Sequence, residues 1–255
     1  MSDRELLYEV REGVAWLTLN REKQRNAISL TLIDLFNLYL DRAEGDDAIR
    51  VLCLTGAGDR SFCSGADLGI GSDMLKGARK YVHLLKRLRQ YPKPIVARLN
   101  GHCLAGGLGL MLACDIVYAS ENVKIGTPEV KVGLFPMIIS AFIFRNAVRK
   151  KALEMIYTAE SVTASEAEQM GFITRIYPDT ESMDKAVEKS LRSICGNAPL
   201  AIRMGRQALS VMEEMDQDDA LEYLCDKLIE VLNTEDAGEG LSAFIEKREP
   251  RWKGK

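Results

Sequence analysis

The chain has 255 residues, of which 47% are hydrophobic and 28% charged, with a formal net charge of −3. That balance is ordinary for a globular protein and leaves no electrostatic footprint for nucleic acid or an anionic membrane surface. No apolar run reaches the length of a membrane span, the start Met-Ser-Asp-Arg-Glu does not read as a signal peptide, and six scattered cysteines with only two histidines read as reduced cytoplasmic thiols without a metal site.

In chain order, residues 6–11 and 14–19 flank Glu12-Gly13 as a hairpin, and a polar loop runs over 21–27. Ser29 caps a helix to about Arg42, residues 51–55 form a buried strand, and a glycine-rich loop covers 56–68. A small, polar and mobile segment is expected over 69–77, then a helix over 78–90. The apolar run 94–99 reads as a strand that turns through Asn100-Gly101 into the glycine-rich helix Leu104–Leu112. Strands follow at 115–119 and 124–126, helices at 138–148, 150–158 and 165–170, and a strand at 172–177. From there the pattern is helical: 183–194, 198–215, 218–232 and 235–246. Strands alternating with helices, then helices alone, predict an α/β core over 1–195 and a helical region over 196–255.

The stretch Asn100–Asp115 invites two readings. Gly106, Gly107 and Gly109 at a helix start allow either close packing of that helix or the approach of a ligand oxygen to its free N–H groups. The pattern has no Walker Lys-Ser/Thr and is not G-x-G-x-x-G, so a phosphate loop is not expected.

Five stretches taken together resemble the crotonase, or enoyl-CoA hydratase/isomerase, superfamily. They are Asn26-Ala27 after a basic loop, Ser61-Phe-Cys-Ser-Gly-Ala-Asp67, Asn100–Asp115, Gly126-Thr-Pro-Glu129-Val-Lys-Val-Gly133-Leu, and the tail Glu239–Arg248. The resemblance implies a spiral of repeated ββα units, with C-terminal helices assembling homotrimers or homohexamers. It implies an enzyme that binds an acyl-CoA thioester and stabilises its enolate, with coenzyme A entering only as part of the substrate. By the same resemblance the oxyanion donors are the amides of Ser64 and Gly106. CoA is contacted by Lys23, Arg25 and Ala27, by Ala66, Asp67 and Leu68 around adenine, and by Phe244 and Lys247 reaching a neighbouring subunit.

The sequence also departs from the pattern. The resemblance expects hydratases to hold a water between two glutamates, but the first of those positions is Gly109 and only the second, Glu129, carries a carboxylate. Eight residues on, where other members have an aspartate, stands Met137. The apolar run Phe135–Ser140 suits an acyl pocket or the start of a buried helix. One base suffices to move a proton from C2 to C4 of a 3-enoyl thioester, so an isomerase is the leading expectation. Hydration with a substitute acid (Asp67, Asp73 or Glu121) and CoA binding without turnover are the alternatives. His83 and His102 are expected to pack, and Asp115 to pair structurally.

Overall fold

The computed structural model describes residues 4–67 and 72–255. A hairpin, β1 (Leu6–Arg11) and β2 (Val14–Leu19), leads through a 3-10 turn at Glu22–Gln24 to α1 (Leu30–Glu44). Three ββα units come next in the chain. The first is β3 (Val51–Gly56), β4 (Ser61–Cys63) and α2 (Ser72–Arg89), and the second is β5 (Ile95–Leu99), β6 (His102–Leu104) and α3 (Gly106–Leu112). The third is β7 (Ile116–Ser120) and β8 (Lys124–Gly126), with a 3-10 turn at Pro128–Val132 before α4 (Met137–Asn146). Then come α5 (Arg149–Thr158), β9 (Val162–Thr163), α6 (Ala164–Met170), β10 (Arg175–Tyr177), α7 (Thr180–Gly196), α8 (Pro199–Met212), α9 (Gln217–Leu232) and α10 (Glu235–Glu246).

Each unit places its first strand in one sheet and its second in another. The larger sheet has the order β1-β2-β3-β5-β7-β10 and the smaller β4-β6-β8-β9. Within them only β1–β2 and β8–β9 run antiparallel. This is the expected crotonase-like spiral. Parallel strands covered on both faces need near-continuous apolar sequence, and β3 is buried at every residue. Val51, Cys53 and Val96 face Met183, Val187 and Leu191 of α7, while Leu52, Leu54, Ile95 and Ala97 join the main core with α1 and α2. The tail folds back: Asp236, buried in α10, accepts from the N–H groups of Lys253 and Gly254, and Trp252 Nε1 donates to Gly196 O at 2.7 Å.

Several readings need correction. β4, β6 and β9 do not stand out in the sequence, because two or three residues are too few to show a period of two. The helix expected from residue 78 begins at Ser72, so only residues 69–71 of the segment read as mobile lie outside the described residues. Of the strand expected over 172–177, only 175–177 pairs, since Phe172 and Ile173 are spent in the core before it. Both histidines are exposed rather than packed. His83 lies on the outer face of α2, and His102 Nδ1 accepts from the Lys124 N–H at 3.1 Å.

Candidate active site

β4, β6 and β8 are parallel neighbours, so their C-terminal ends come together, the position where open α/β sheets bind ligands. The segments that leave these ends are Ser64–Asp67, Ala105-Gly106 and Thr127–Glu129. The last two are joined directly: Leu104 is in register with Gly126, and the Ala105 N–H donates to Gly126 O at 2.9 Å.

Two buried asparagines hold the loops beneath them. Asn26 Nδ2 donates to Ala57 O (3.0 Å) and Ser61 O (2.7 Å), and Asn100 Nδ2 donates to Gly58 O (2.9 Å) and Ser61 O (3.0 Å). Asn100 Oδ1 also accepts from the Gly56 N–H at 2.8 Å. Arg25 and Asn26 take left-handed φ values of 52° and 57°, which turns the basic loop back on itself.

The amides at this edge are not equivalent. Ser64, the expected donor, already gives its N–H to Arg25 O at 3.1 Å. Two residues on, Ala66 bridges Ile28 through its neighbours, with Ile28 N donating to Gly65 O (2.8 Å) and Asp67 N to Ile28 O (2.7 Å). In that parallel bridge the Ala66 N–H points away, and among the described residues nothing accepts from it. Gly106 is the first residue of α3, so its N–H lies outside the helical ladder. The two free amides are close in space: a Cβ built on Gly106 would lie 3.5 Å from the Ala66 nitrogen. Of the two expected donors, Gly106 has a free N–H and Ser64 does not, and the free amide near Gly106 is that of Ala66.

The glycines of α3 divide the two readings left open by their spacing. A Cβ on Gly107 would come within 2.5 Å of Cys63 O. One on Gly109 would collide with the Tyr81 oxygen and lie 2.8 Å from Ile139 Cγ2. Those two glycines permit close packing. Gly106 has neither a positive φ nor a close neighbour, and its missing side chain leaves open the space between the two amides. Ala105 before it is strained, at φ 49° and ψ −130°. Such conformations cost about 1–3 kcal/mol and concentrate at working sites.

Glu129 stands in the 3-10 turn after β8. Its Oε2 is buried without a hydrogen-bond partner, as is the hydroxyl of Thr127, and burial raises its pKa above the ordinary carboxylate value. The other acids considered are engaged or remote. Asp67 pairs with Arg21 at 2.8 Å, Glu121 lies beyond β7 with its N–H on Tyr177 O, and the Asp73 side chain is outside the described residues.

Beside the amides runs a cleft of about 890 Å³ whose lining includes Lys23, Arg25, Arg60, Ser64, His102 and Leu104. Ala27 is buried, Ala66 and Asp67 are exposed but are not part of that lining, and Leu68 lies outside the described residues. Phe244, 84% exposed, and Lys247 sit at the far end of α10, away from the cleft lining. On the other side, Leu75, Ala78, Arg79 and Val82 of α2 and Ile138 of α4 form an apolar groove of about 330 Å³. Met137, by contrast, is 73% exposed.

The sequence profile of the enoyl-CoA hydratase/isomerase family matches residues 9–255. The short-chain-enoyl-CoA hydratase of Clostridium acetobutylicum is 34% identical over 93% of this chain and 94% of its own length. The 2,3-dehydroadipyl-CoA hydratase of Escherichia coli is 32% identical over 98% and 99%. Among solved structures, an enoyl-CoA hydratase from Bacillus anthracis superposes with a TM-score of 0.93 at 30% identity, covering 98% of this chain and all of that one. Human enoyl coenzyme A hydratase domain-containing protein 3 gives 0.94 at 26%, with the same coverage.

Proposed function

Because the chain belongs to the enoyl-CoA hydratase/isomerase family, we propose that it binds an acyl-CoA thioester with its carbonyl oxygen between the Ala66 and Gly106 amides. Negative charge that develops on that oxygen meets two fixed donors at the start of a helix, the arrangement that stabilises an enolate. Lys23, Arg25 and Arg60 give the cleft the charge that CoA phosphates require, and the α2–α4 groove suits the acyl chain. The apolar surface of the 196–255 region (Leu228, Leu232, Leu241 and Phe244) suits assembly into trimers or hexamers, with Phe244 and Lys247 offered to a neighbour's CoA.

Glu129 is the base of this reaction. The observation that carries this is its buried, unpartnered Oε2, in a chain whose position 109 has no room for a second carboxylate. A raised pKa suits a group that takes a proton and returns it. The chemistry this supports is isomerisation of a 3-enoyl- to a 2-enoyl-CoA: Glu129 removes a C2 proton, the dienolate rests on the two amides, and Glu129 returns the proton at C4. The test is incubation of 3-enoyl-CoA in D₂O followed by NMR. The expected product is 2-enoyl-CoA with partial deuterium at C4; substrate recovered unchanged would overturn the reading. The names of the relatives favour a second reading, hydration of a 2-enoyl-CoA. It requires an acid other than residue 109 to hold the water.

A further inference from the structure

Gly109 stands in the interior of α3, where glycine costs about 1 kcal/mol relative to alanine. Its φ is not positive, so no backbone requirement explains it. What explains it is space: the hydroxyl of Tyr81, projecting from α2, occupies the position of the missing Cβ. That hydroxyl donates a hydrogen bond to Gly106 O, so the phenol is tied to the first turn of α3. Tyr81 is 3% exposed and packs in the main core beside Leu84, Leu85, Leu108 and Ile139. No step of the proposed isomerisation uses it.

The strained turn at Ala105 persists only if its surroundings determine it. From the β8 side it is held by the bond from the Ala105 N–H to Gly126 O, and from within α3 by the bond from the Leu108 N–H to Ala105 O, both 2.9 Å. Tyr81 supplies the only side-chain hydrogen bond to Gly106 among the described residues. We propose that Tyr81 is a positioning residue: its hydroxyl, seated in the space that Gly109 leaves, fixes the first turn of α3 so that the Gly106 N–H points at the substrate oxygen. The proposal rests on the oxyanion role of the Ala66 and Gly106 amides and adds the element that keeps the second of them aimed.

Tyr81→Phe removes the oxygen and keeps the ring in the core. The expected result is a fall in kcat of about tenfold, the rate equivalent of one neutral hydrogen bond, with KM for the thioester and the melting temperature little changed. A spectroscopic reading separates aiming from packing. A cinnamoyl thioester of CoA, whose conjugated carbonyl shifts its absorbance to the red when its oxygen is hydrogen-bonded, should show that shift on the wild type and a smaller one on Tyr81→Phe. A second variant keeps the test independent of that substitution. Gly109→Ala should collide with the hydroxyl and lower both kcat and the red shift, and Tyr81→Phe added to it should restore stability. A Tyr81→Phe enzyme with wild-type kcat and red shift would overturn the proposal. So would one that loses kcat only in proportion to lost folded protein. Absence of any shift on the wild type would instead overturn the oxyanion reading itself.

Discussion

Two glycine positions of α3 are closed and a third is open. Gly107 lies against Cys63, and Gly109 against Tyr81, Ile139 and Leu85, with no room for a methyl group, whereas Gly106 meets only the Gly65-Ala66 backbone at ordinary contact distance. Three glycines within four residues thus have two different causes. The closed positions fix where the helix lies; the open one leaves the Gly106 N–H uncovered beside that of Ala66.

The largest effects should come from Glu129 and the open position, Gly106. Glu129→Gln keeps size and polarity but cannot accept a proton, so kcat should fall by about 10²–10⁴, measured by steady-state kinetics with CoA affinity unchanged. Next is Gly106→Pro. Proline is tolerated at the first helical position and removes only the N–H, so kcat should drop about 10²–10³ in a variant that circular dichroism shows to be folded.

The closed positions should respond in stability instead. Gly107→Ala meets backbone at Cys63 O and should cost about 1–3 kcal/mol by denaturant unfolding, as overpacking does. Gly106→Ala has room for its methyl and should melt at or above the wild type, yet lose activity, because the methyl fills the space between the amides. If both alanine variants lost only stability, the distinction between closed and open positions would be gone.

The smallest effect is electrostatic. Burial raises the Glu129 pKa in the folded protein, so the protonated form is the one the fold favours. That contribution is fully present below the unfolded value of about 4.3 and is lost as pH rises through the folded pKa. Glu129→Gln should therefore melt at or slightly above the wild type at neutral pH, with the difference vanishing near pH 4. Wild-type kcat/KM should rise with pH across the same interval, since the base form is the active one.

Much of this could be read in the sequence. Long apolar patterns give β1, β2, β3, β5 and nearly all the helices, and spacing together with family resemblance locates the three loops and Glu129. What the sequence hides depends on pairing across distance. Ser64 reads as the donor until the Arg25 carbonyl claims its amide, and the free N–H of Ala66, read only as an adenine contact, emerges from the bridge to Ile28. Tyr81 reads as one more apolar position on an amphipathic helix, because its reason lies 28 residues on, in the side chain that Gly109 lacks. Asn26 and Asn100 read as turn residues, although their side chains rivet loops more than 30 residues apart. The start of α2 is hidden because Ser72-Asp73 after a run of small residues looks like a continuing loop.

The central claim, that one carboxylate does all the proton transfer, is tested most directly by a competition of reactions on the wild-type enzyme. Matched 3-enoyl- and 2-enoyl-CoA thioesters of the same chain length are supplied separately, and the products are identified by mass and NMR. The account predicts that the 3-enoyl substrate is converted to its 2-enoyl isomer far faster than water is added to the 2-enoyl substrate. Faster formation of the 3-hydroxyacyl-CoA would contradict it, and would mean that a second acid works opposite Glu129.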